Sequence, residues 1–183
     1  MTTALAAVAA ALFLVRFGLF VALHLVRSEY NPIEHAVSDY AVGSTRRLST
    51  VATWVWAAAW AALAGAVDRG AVWLLILAAI FVVLPFLPTD LEGARRTAIG
   101  RIHYLAAIAW FAISFSLTST FTDQFDLVVL NALRWIALVS LAALVVALVV
   151  RPLRRRFFGL SERIFIASIN LFYLVVPIAV LTR

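Results

Sequence analysis

Carboxylates, imidazoles and hydroxyls are grouped in a few short polar stretches of an otherwise apolar chain. The first stretch, YNPIEHAVSDYAVG at residues 30–43, places His35 and Asp39 four positions apart, with Ser38 next to Asp39. A histidine titrates near neutral pH, and a carboxylate beside it sets its tautomer and its pKa. Residues of these types are suited to transferring protons to or from a bound molecule.

Two further stretches carry the same residue types. LPTDLEG contains Asp90 and GRIHYLA contains His103, so a hairpin between them can bring this pair together, and GLSERIF adds Glu162 and Arg163. We predict four acid–base groups that converge at the mouth of one cavity: His35, Asp39, Asp90 and His103. The alternative is that Asp90 and Glu162 only cap helices or pair with adjacent arginines.

Ionisable residues also occur inside the apolar segments. Arg16 lies near the middle of the first one, and His24 falls on the same side of that helix. Such residues indicate a functional site by default, although Arg16 could instead be a structural strut bonded to backbone carbonyls. The predicted ligand-binding residues are Arg16, His24, Ser38, Ser114, Glu162 and Asn170.

The composition is that of an integral membrane protein. Of 183 residues, 65% are hydrophobic and 13% are charged, and the mean hydropathy is +1.04, whereas soluble domains carry roughly a quarter charged residues. The absence of cysteine excludes disulfides, thiolate metal ligands and iron–sulfur clusters. The net charge of +6 comes from arginines in short loops, which membrane orientation explains, so we expect no nucleic acid partner.

Six apolar segments are long enough to cross a hydrocarbon core, which takes roughly 17 to 25 residues. They are residues 3–26, 48–67, 71–87, 102–120, 127–150 and 164–181. Pro85 and Pro88 end the third segment because each removes a backbone donor. The predicted fold is all-α, a single domain over residues 1–183 forming a bundle of six transmembrane helices.

A short interfacial helix is predicted between the first two spans. Asn31 is a typical capping residue, Pro32 suits the first helical position and Glu34 is an acid in the first turn. Gly43 is a natural helix stop. The helix would contain about eleven residues, too few to span the membrane, and would lie along its surface.

Arginine counts predict the orientation in the membrane. Eleven arginines fall in the loops after the first, third and fifth apolar segments, while the opposite face has only Arg69 and Arg183. Cytoplasmic loops are enriched in arginine. The arginine-only, alanine-rich composition indicates a bacterial genome, so we predict a bacterial inner membrane protein with both termini extracytoplasmic and the polar stretches facing the cytoplasm.

The six spans together with YNPIEHAVSDYAVG, LPTDLEG, GRIHYLA and GLSERIF resemble domain-of-unknown-function family 998, found in bacteria and archaea. The resemblance covers nearly the whole chain and implies a six-helix membrane fold without an established activity. The matching polar positions are His35, Ser38, Asp39, Asp90, His103, Glu162 and Arg163. A more distant similarity to alkaline-ceramidase-like membrane hydrolases does not extend to a late span with two histidines four apart, so no metal is predicted.

These features favour a membrane protein that binds or chemically transforms a lipid or polyprenyl-type amphiphile, with isomerisation, cyclisation and hydrolysis all open. Whether it is an enzyme is therefore also open. A second hypothesis is a non-catalytic subunit or assembly factor that docks on a membrane-protein partner. A third is haem binding by His24 and His103, and the leading hypothesis needs no cofactor.

The predicted orientation can be tested by cysteine labelling. A cysteine introduced at Ser44 should react with a membrane-impermeant reagent only from the cytoplasmic side, and one introduced at Gln124 only from outside, because positively charged loops stay in the cytoplasm. Labelling with the opposite sidedness would contradict the orientation and every inference about the inner leaflet.

Overall fold

Helices make up all the regular structure in the part of the chain that the computed structural model describes, residues 2–91 and 95–183 without the side chains of Arg151 and Arg155. The α-helices are α1 (Thr2–Leu25), α2 (Arg46–Ala64), α3 (Ala71–Val83), α4 (Ala98–Phe125), α5 (Val128–Val149) and α6 (Arg151–Leu181). Short 3₁₀ helices cover Val37–Ala41, Gly43–Thr45 and Leu84–Phe86. Glu92 and Gly93 of the LPTDLEG stretch lie outside the described residues.

Each predicted apolar segment corresponds to one of these α-helices. The prolines end the third segment as predicted, because α3 stops at Val83 and only a 3₁₀ turn follows. The last helix differs most from the prediction, since α6 begins at Arg151 and not at residue 164. Pro152 in its first turn permits this early start, because the first backbone N–H groups of a helix need no partner within it.

Four helical segments are long and apolar enough to cross a membrane: Thr2–Leu25, Ala98–Phe125, Val128–Val149 and Arg156–Leu181. They make the chain a membrane protein of the helical-bundle class. The segment Ala71–Phe86 is apolar but shorter, and α2 begins with two arginines followed by serine and threonine, which lowers its hydropathy. That α2 and α3 also cross the membrane stays a prediction, as does the orientation.

Close backbone packing joins α3 to α2, α2 to α1, α1 to α6 and α6 to α5. Small side chains allow this approach, since Ala6 and Ala9 of α1 and Ala59 of α2 are fully buried. Helix α4 completes the bundle by contacting α3, α5 and α6. It packs on α6 through aromatic side chains, with the rings of Phe111 and Phe165 4.7 Å apart.

Aromatic rings fill the centre of the bundle. Trp60 of α2 packs against Phe13 of α1 and Tyr173 of α6, at 5.2 and 4.4 Å between ring centroids. Trp56 of α2 meets Trp110 of α4 edge-on at 5.2 Å. These ring contacts hold α1, α2, α4 and α6 together.

The predicted helix of about eleven residues after the first span is wrong. Asn31 starts a single turn, with its Oδ1 accepting from Ile33 N at 3.0 Å and its backbone oxygen accepting from His35 N at 2.9 Å. At Ala36 the backbone becomes extended, with φ −65° and ψ 152°, and a 3₁₀ helix follows over Val37–Ala41. The segment is thus two short turns joined at Ala36.

Contacts with α6 explain why this segment does not continue as one helix. The backbone N–H of Val37 donates to Glu162 Oε2 at 2.6 Å, and the N–H of Ala36 donates to Asp39 Oδ2 at 3.1 Å. Both donors would otherwise bond to carbonyls within a continuous helix. Two carboxylates, one of them distant in sequence, therefore override the local signals for a helix.

Gly159 sets how closely the loop approaches α6. A Cβ atom there would lie 2.4 Å from His35 O and 2.8 Å from Pro32 O, both backbone atoms. Only glycine allows this contact, because backbone atoms cannot turn aside as a flexible side chain can. The loop is therefore packed directly on the helix backbone.

Replacing Gly159 should loosen this contact. We expect Gly159→Ala to destabilise the protein by about 1–3 kcal/mol, the usual range for an inserted atom in a packed site. Gly18→Ala is the matched control, because nothing lies within 4 Å of the added Cβ, and it should leave stability unchanged or raise it by up to about 1 kcal/mol. Thermal unfolding in detergent measures both, and equal effects would contradict the close approach.

Candidate functional site

Arg163 holds the loop after α1 against α6. Its Nη1 donates to the backbone oxygens of His35 at 2.7 Å and Gly159 at 3.0 Å. Its guanidinium carbon lies 5.4 Å from the Tyr40 ring centroid, within the range of a cation–π contact. The neighbouring residue Glu162 accepts from Val37 N. Two adjacent side chains of α6 therefore bind a backbone donor and a backbone acceptor of the same loop.

His24 belongs to this contact. Its Nε2 accepts from Arg163 Nε at 2.8 Å, and because arginine can only donate, that nitrogen carries no proton. The proton is therefore on Nδ1, which donates to Phe20 O at 2.7 Å. Both ring nitrogens are occupied, so His24 has no lone pair to offer an iron atom, which argues against the haem hypothesis.

The remainder of the loop is fixed by its own side chains. Tyr30 donates its hydroxyl to Val42 O at 3.2 Å, and Thr45 donates to Tyr40 O at 2.8 Å. Burial, together with the nearby carboxylates of Glu29 and Asp39, raises the pKa of Tyr30, so its hydroxyl remains a donor at neutral pH. These bonds give the loop one defined conformation at the end of the bundle.

A cavity of about 90 Å³ lies beneath this loop. The loop, α1, α2, the end of α3, α4 and α6 all contribute to its wall. Its apolar lining includes Trp56, Phe81, Trp110, Phe111 and Ile166. Its polar lining includes Arg16, Ser38, Ser49, Thr53, His103 and Glu162. The cavity therefore combines an apolar wall with charged and hydroxyl-bearing side chains inside an apolar bundle.

His103 is the predicted acid–base group that lines the cavity. It is buried, and its Nδ1 lies 2.7 Å from Leu87 O. A carbonyl oxygen only accepts, so Nδ1 carries the proton. In the neutral ring, Nε2 is then an acceptor, and it has no hydrogen-bond partner among the described residues. His103 can therefore accept a proton or a hydrogen bond from a ligand.

Asp90 lies close enough to His103 to interact with it electrostatically, but its hydrogen bonds are made to the start of α4. Its Oδ2 accepts from Thr97 N at 2.7 Å and its Oδ1 from Thr97 Oγ1 at 2.9 Å, while Thr97 Oγ1 accepts from Gly100 N at 2.9 Å. Asp90 thus anchors the first turn of α4 and makes no hydrogen bond to His103. The capping alternative describes Asp90 better than an acid–base role.

Arg16 lies at the deep end of the cavity and faces the bundle interior, as its position on the first helix predicts. Only 5% of its surface is exposed, and its guanidinium carbon lies 4.3 Å from the ring centroid of Trp56 and 5.4 Å from that of Phe20. Its Nε and Nη1 have no hydrogen-bond partner in the described part of the chain. The described residues therefore give no support to the strut hypothesis, which requires bonds to backbone carbonyls.

Ser114 and Asn170 connect helices in the core and do not line the cavity. The backbone oxygen of Ser114 accepts from Tyr173 Oη at 2.8 Å, and Asn170 Nδ2 donates to Phe13 O at 3.0 Å. Neither side chain bonds to Arg16. Their depth in the bundle suggested a ligand-binding role, but these contacts join α6 to α4 and to α1.

Among the predicted site residues, the structure brings Arg16, Ser38, His103 and Glu162 together in one cavity lining. Six others lie outside that lining: His24, His35, Asp39, Asp90, Ser114 and Asn170. Sequence reasoning missed Trp56, which packs on Arg16, and the role of Arg163 on the loop. The signal for Arg163 was available, because Glu162 and Arg163 stand together at the edge of an apolar segment.

No metal site emerges from the side chains that the structure describes, where no three His, Asp or Glu residues are grouped closely enough to hold an ion. Comparison with protein families gives a match over nearly the whole chain. The model described as "Protein of unknown function (DUF998)" matches residues 4–179. No curated protein and no solved structure matches the chain.

The bond from Val37 to Glu162 can be tested by hydrogen exchange. Glu162→Ala leaves the Val37 N–H without an acceptor, so the free energy of opening in residues 36–41 should fall by about 1–3 kcal/mol. Glu162→Gln is the matched control, since its amide oxygen still accepts. Amide exchange measured by mass spectrometry should be faster in the alanine variant only. Equal exchange in both variants would show that the carboxylate does not hold the loop.

Proposed function

We propose that this chain, which belongs to the DUF998 family of proteins of unknown function, is a multi-pass membrane protein that binds an amphiphile by its polar end. The supporting observation is the cavity at one end of the bundle, where Arg16, His103 and Glu162 share an apolar lining. Charged side chains inside an apolar bundle are energetically costly, and for that reason they commonly mark functional sites. A lipid or polyprenyl-type molecule has the matching combination of a polar end and an apolar tail.

The size of the cavity limits what can enter it. About 90 Å³ is well below the roughly 300–1,000 Å³ of pockets that enclose a whole drug-sized ligand. Only the polar end of an amphiphile fits this space. The apolar tail would then lie outside the cavity, against the apolar surface of the bundle.

Binding is the activity that this geometry supports best. Asp39 and Asp90 accept hydrogen bonds from backbone N–H groups and do not line the cavity, which favours binding over a four-residue acid–base site. If the bound molecule is also transformed, the acid–base groups available in the lining are the imidazole of His103 and the carboxyl group of Glu162. Isomerisation, cyclisation and hydrolysis of the polar end remain the candidate reactions.

The hypothesis of a non-catalytic subunit makes a different prediction about the cavity. A docking subunit would use its polar loop as a surface and would need no space behind it. The contents of the cavity therefore discriminate between the two functions.

Filling the cavity should prevent binding. Ala107 of α4 lines it, and we expect Ala107→Leu to lower the amount of co-purifying amphiphile at least about tenfold, a loss of ~1.4 kcal/mol of binding free energy. Ala142→Leu on the exposed face of α5 is the matched control and should bind normally. Native mass spectrometry measures the bound amphiphile, and thermal unfolding verifies that both variants fold. A wild-type protein that carries no amphiphile would favour the docking subunit.

A further inference from the structure

The deep end of the cavity contains hydrogen-bond donors without acceptors. Arg16 and Trp56 both line it, and Arg16 Nε, Arg16 Nη1 and Trp56 Nε1 are buried without a partner among the described residues. Buried polar groups are nearly always hydrogen-bonded, and an unpaired buried charge is especially unfavourable. Single unpaired donors also occur at Trp60 Nε1 and Arg163 Nη2, but here three of them belong to two adjacent side chains that line one cavity, which indicates a missing acceptor.

The chain does not supply this acceptor from the residues that the structure describes. Glu162 is the carboxylate in the cavity lining, and its Oε2 is bonded to Val37 N. No ion pair joins Arg16 to a described carboxylate. The cation–π contacts with Trp56 and Phe20 offset part of the cost of burying the guanidinium. They use the faces of the aromatic rings and leave the N–H groups of the guanidinium unbonded.

The ring contacts also orient the guanidinium. With Trp56 at 4.3 Å, the side chain is packed before any ligand arrives. A planar guanidinium presents its N–H groups as a fixed fork, which matches the paired oxygens of a phosphate or a carboxylate. Trp56 Nε1 is a further donor on the ring against which Arg16 packs.

We propose that Arg16 and Trp56 form an oxyanion subsite at the deep end of this cavity, which binds the phosphate or carboxylate group of a ligand. The inference rests on the proposed function for the remainder of the ligand, since an anionic amphiphile would place its charged end on Arg16. A free anion such as inorganic phosphate has the same chemistry, so the experiment must separate the two sources.

Arg16→Met is the decisive variant, because it keeps a long side chain in the core and removes the charge and every donor. We expect it to weaken binding of phosphatidic acid about tenfold to a hundredfold, the effect of losing charge-assisted hydrogen bonds. Arg134→Met is the matched control, since Arg134 lies on α5 outside the cavity lining. Native mass spectrometry of the protein in detergent with added phosphatidic acid or phosphatidylcholine measures both affinities.

Stability without ligand distinguishes a binding residue from a structural one. Removal of an unpaired buried charge should leave the melting temperature of the ligand-free protein unchanged or raise it, while phosphatidic acid should stabilise the wild type and not Arg16→Met. If Arg16→Met does not accumulate, Arg16→Lys keeps the charge without the planar fork and should still bind phosphatidic acid more weakly than the wild type. Wild-type affinity in Arg16→Met, or in the Lys variant where that is the one available, would overturn the subsite.

The remaining measurements distinguish a failure of the oxyanion subsite from a failure of the proposed function. If inorganic phosphate stabilises the wild type, phosphatidic acid does not, and Arg16→Met loses the effect, the subsite is supported and its ligand is a free anion. This result would contradict the proposed binding of an amphiphile. Equal binding of phosphatidic acid and uncharged diacylglycerol, unaffected by Arg16→Met, would retain amphiphile binding and overturn the oxyanion subsite. Binding of neither lipid nor phosphate to the wild type would overturn both.

Discussion

The hydrogen bonds that join Glu162 and Arg163 to the loop after α1 determine the structure of one end of this bundle. Glu162 accepts from Val37 N, and Arg163 donates to His35 O. Each charge satisfies a backbone group that a continuous helix would have satisfied internally, and each backbone group stabilises a charge buried among apolar helices. Because the loop is held in this way, Val37 and Ser38 become part of the cavity wall.

Two buried arginines show how differently the same side chain is used in this bundle. Arg163 is bonded through Nε and Nη1 to a histidine and two carbonyls, which join α1, the loop and α6. Arg16 packs on aromatic rings and has unpaired N–H groups that face a cavity. A structural role accounts for the contacts of Arg163. It does not account for Arg16, which makes no hydrogen bond to the described residues, whereas Arg163 makes three and only its Nη2 is buried and unpaired.

Sequence patterns predicted the helical fold well because long apolar segments have few alternatives in a membrane. Local signals failed at residues 31–42, where a capping asparagine, a proline and a late glycine predicted one helix. The deciding contacts come from Glu162 and Gly159, which are distant in sequence and close in space. The early start of α6 was missed for a related reason. The charged residues from Arg151 onward were interpreted as a loop because they are polar, but arginines are compatible with an α-helix.

The candidate site was predicted in part, and the residues that were misplaced follow a physical rule. Carboxylates near helix ends are the first available acceptors for unpaired backbone N–H groups, and Asp39 and Asp90 both bind such groups. Their spacing from His35 and His103 suggested acid–base chemistry. In the structure, however, carboxylate oxygens of both residues accept hydrogen bonds from the backbone. Arg16 lies far from any helix end, and unlike Asn170 it finds no backbone partner among the described residues. By that criterion Arg16, in the middle of α1, is the strongest indication of a ligand that the sequence contains.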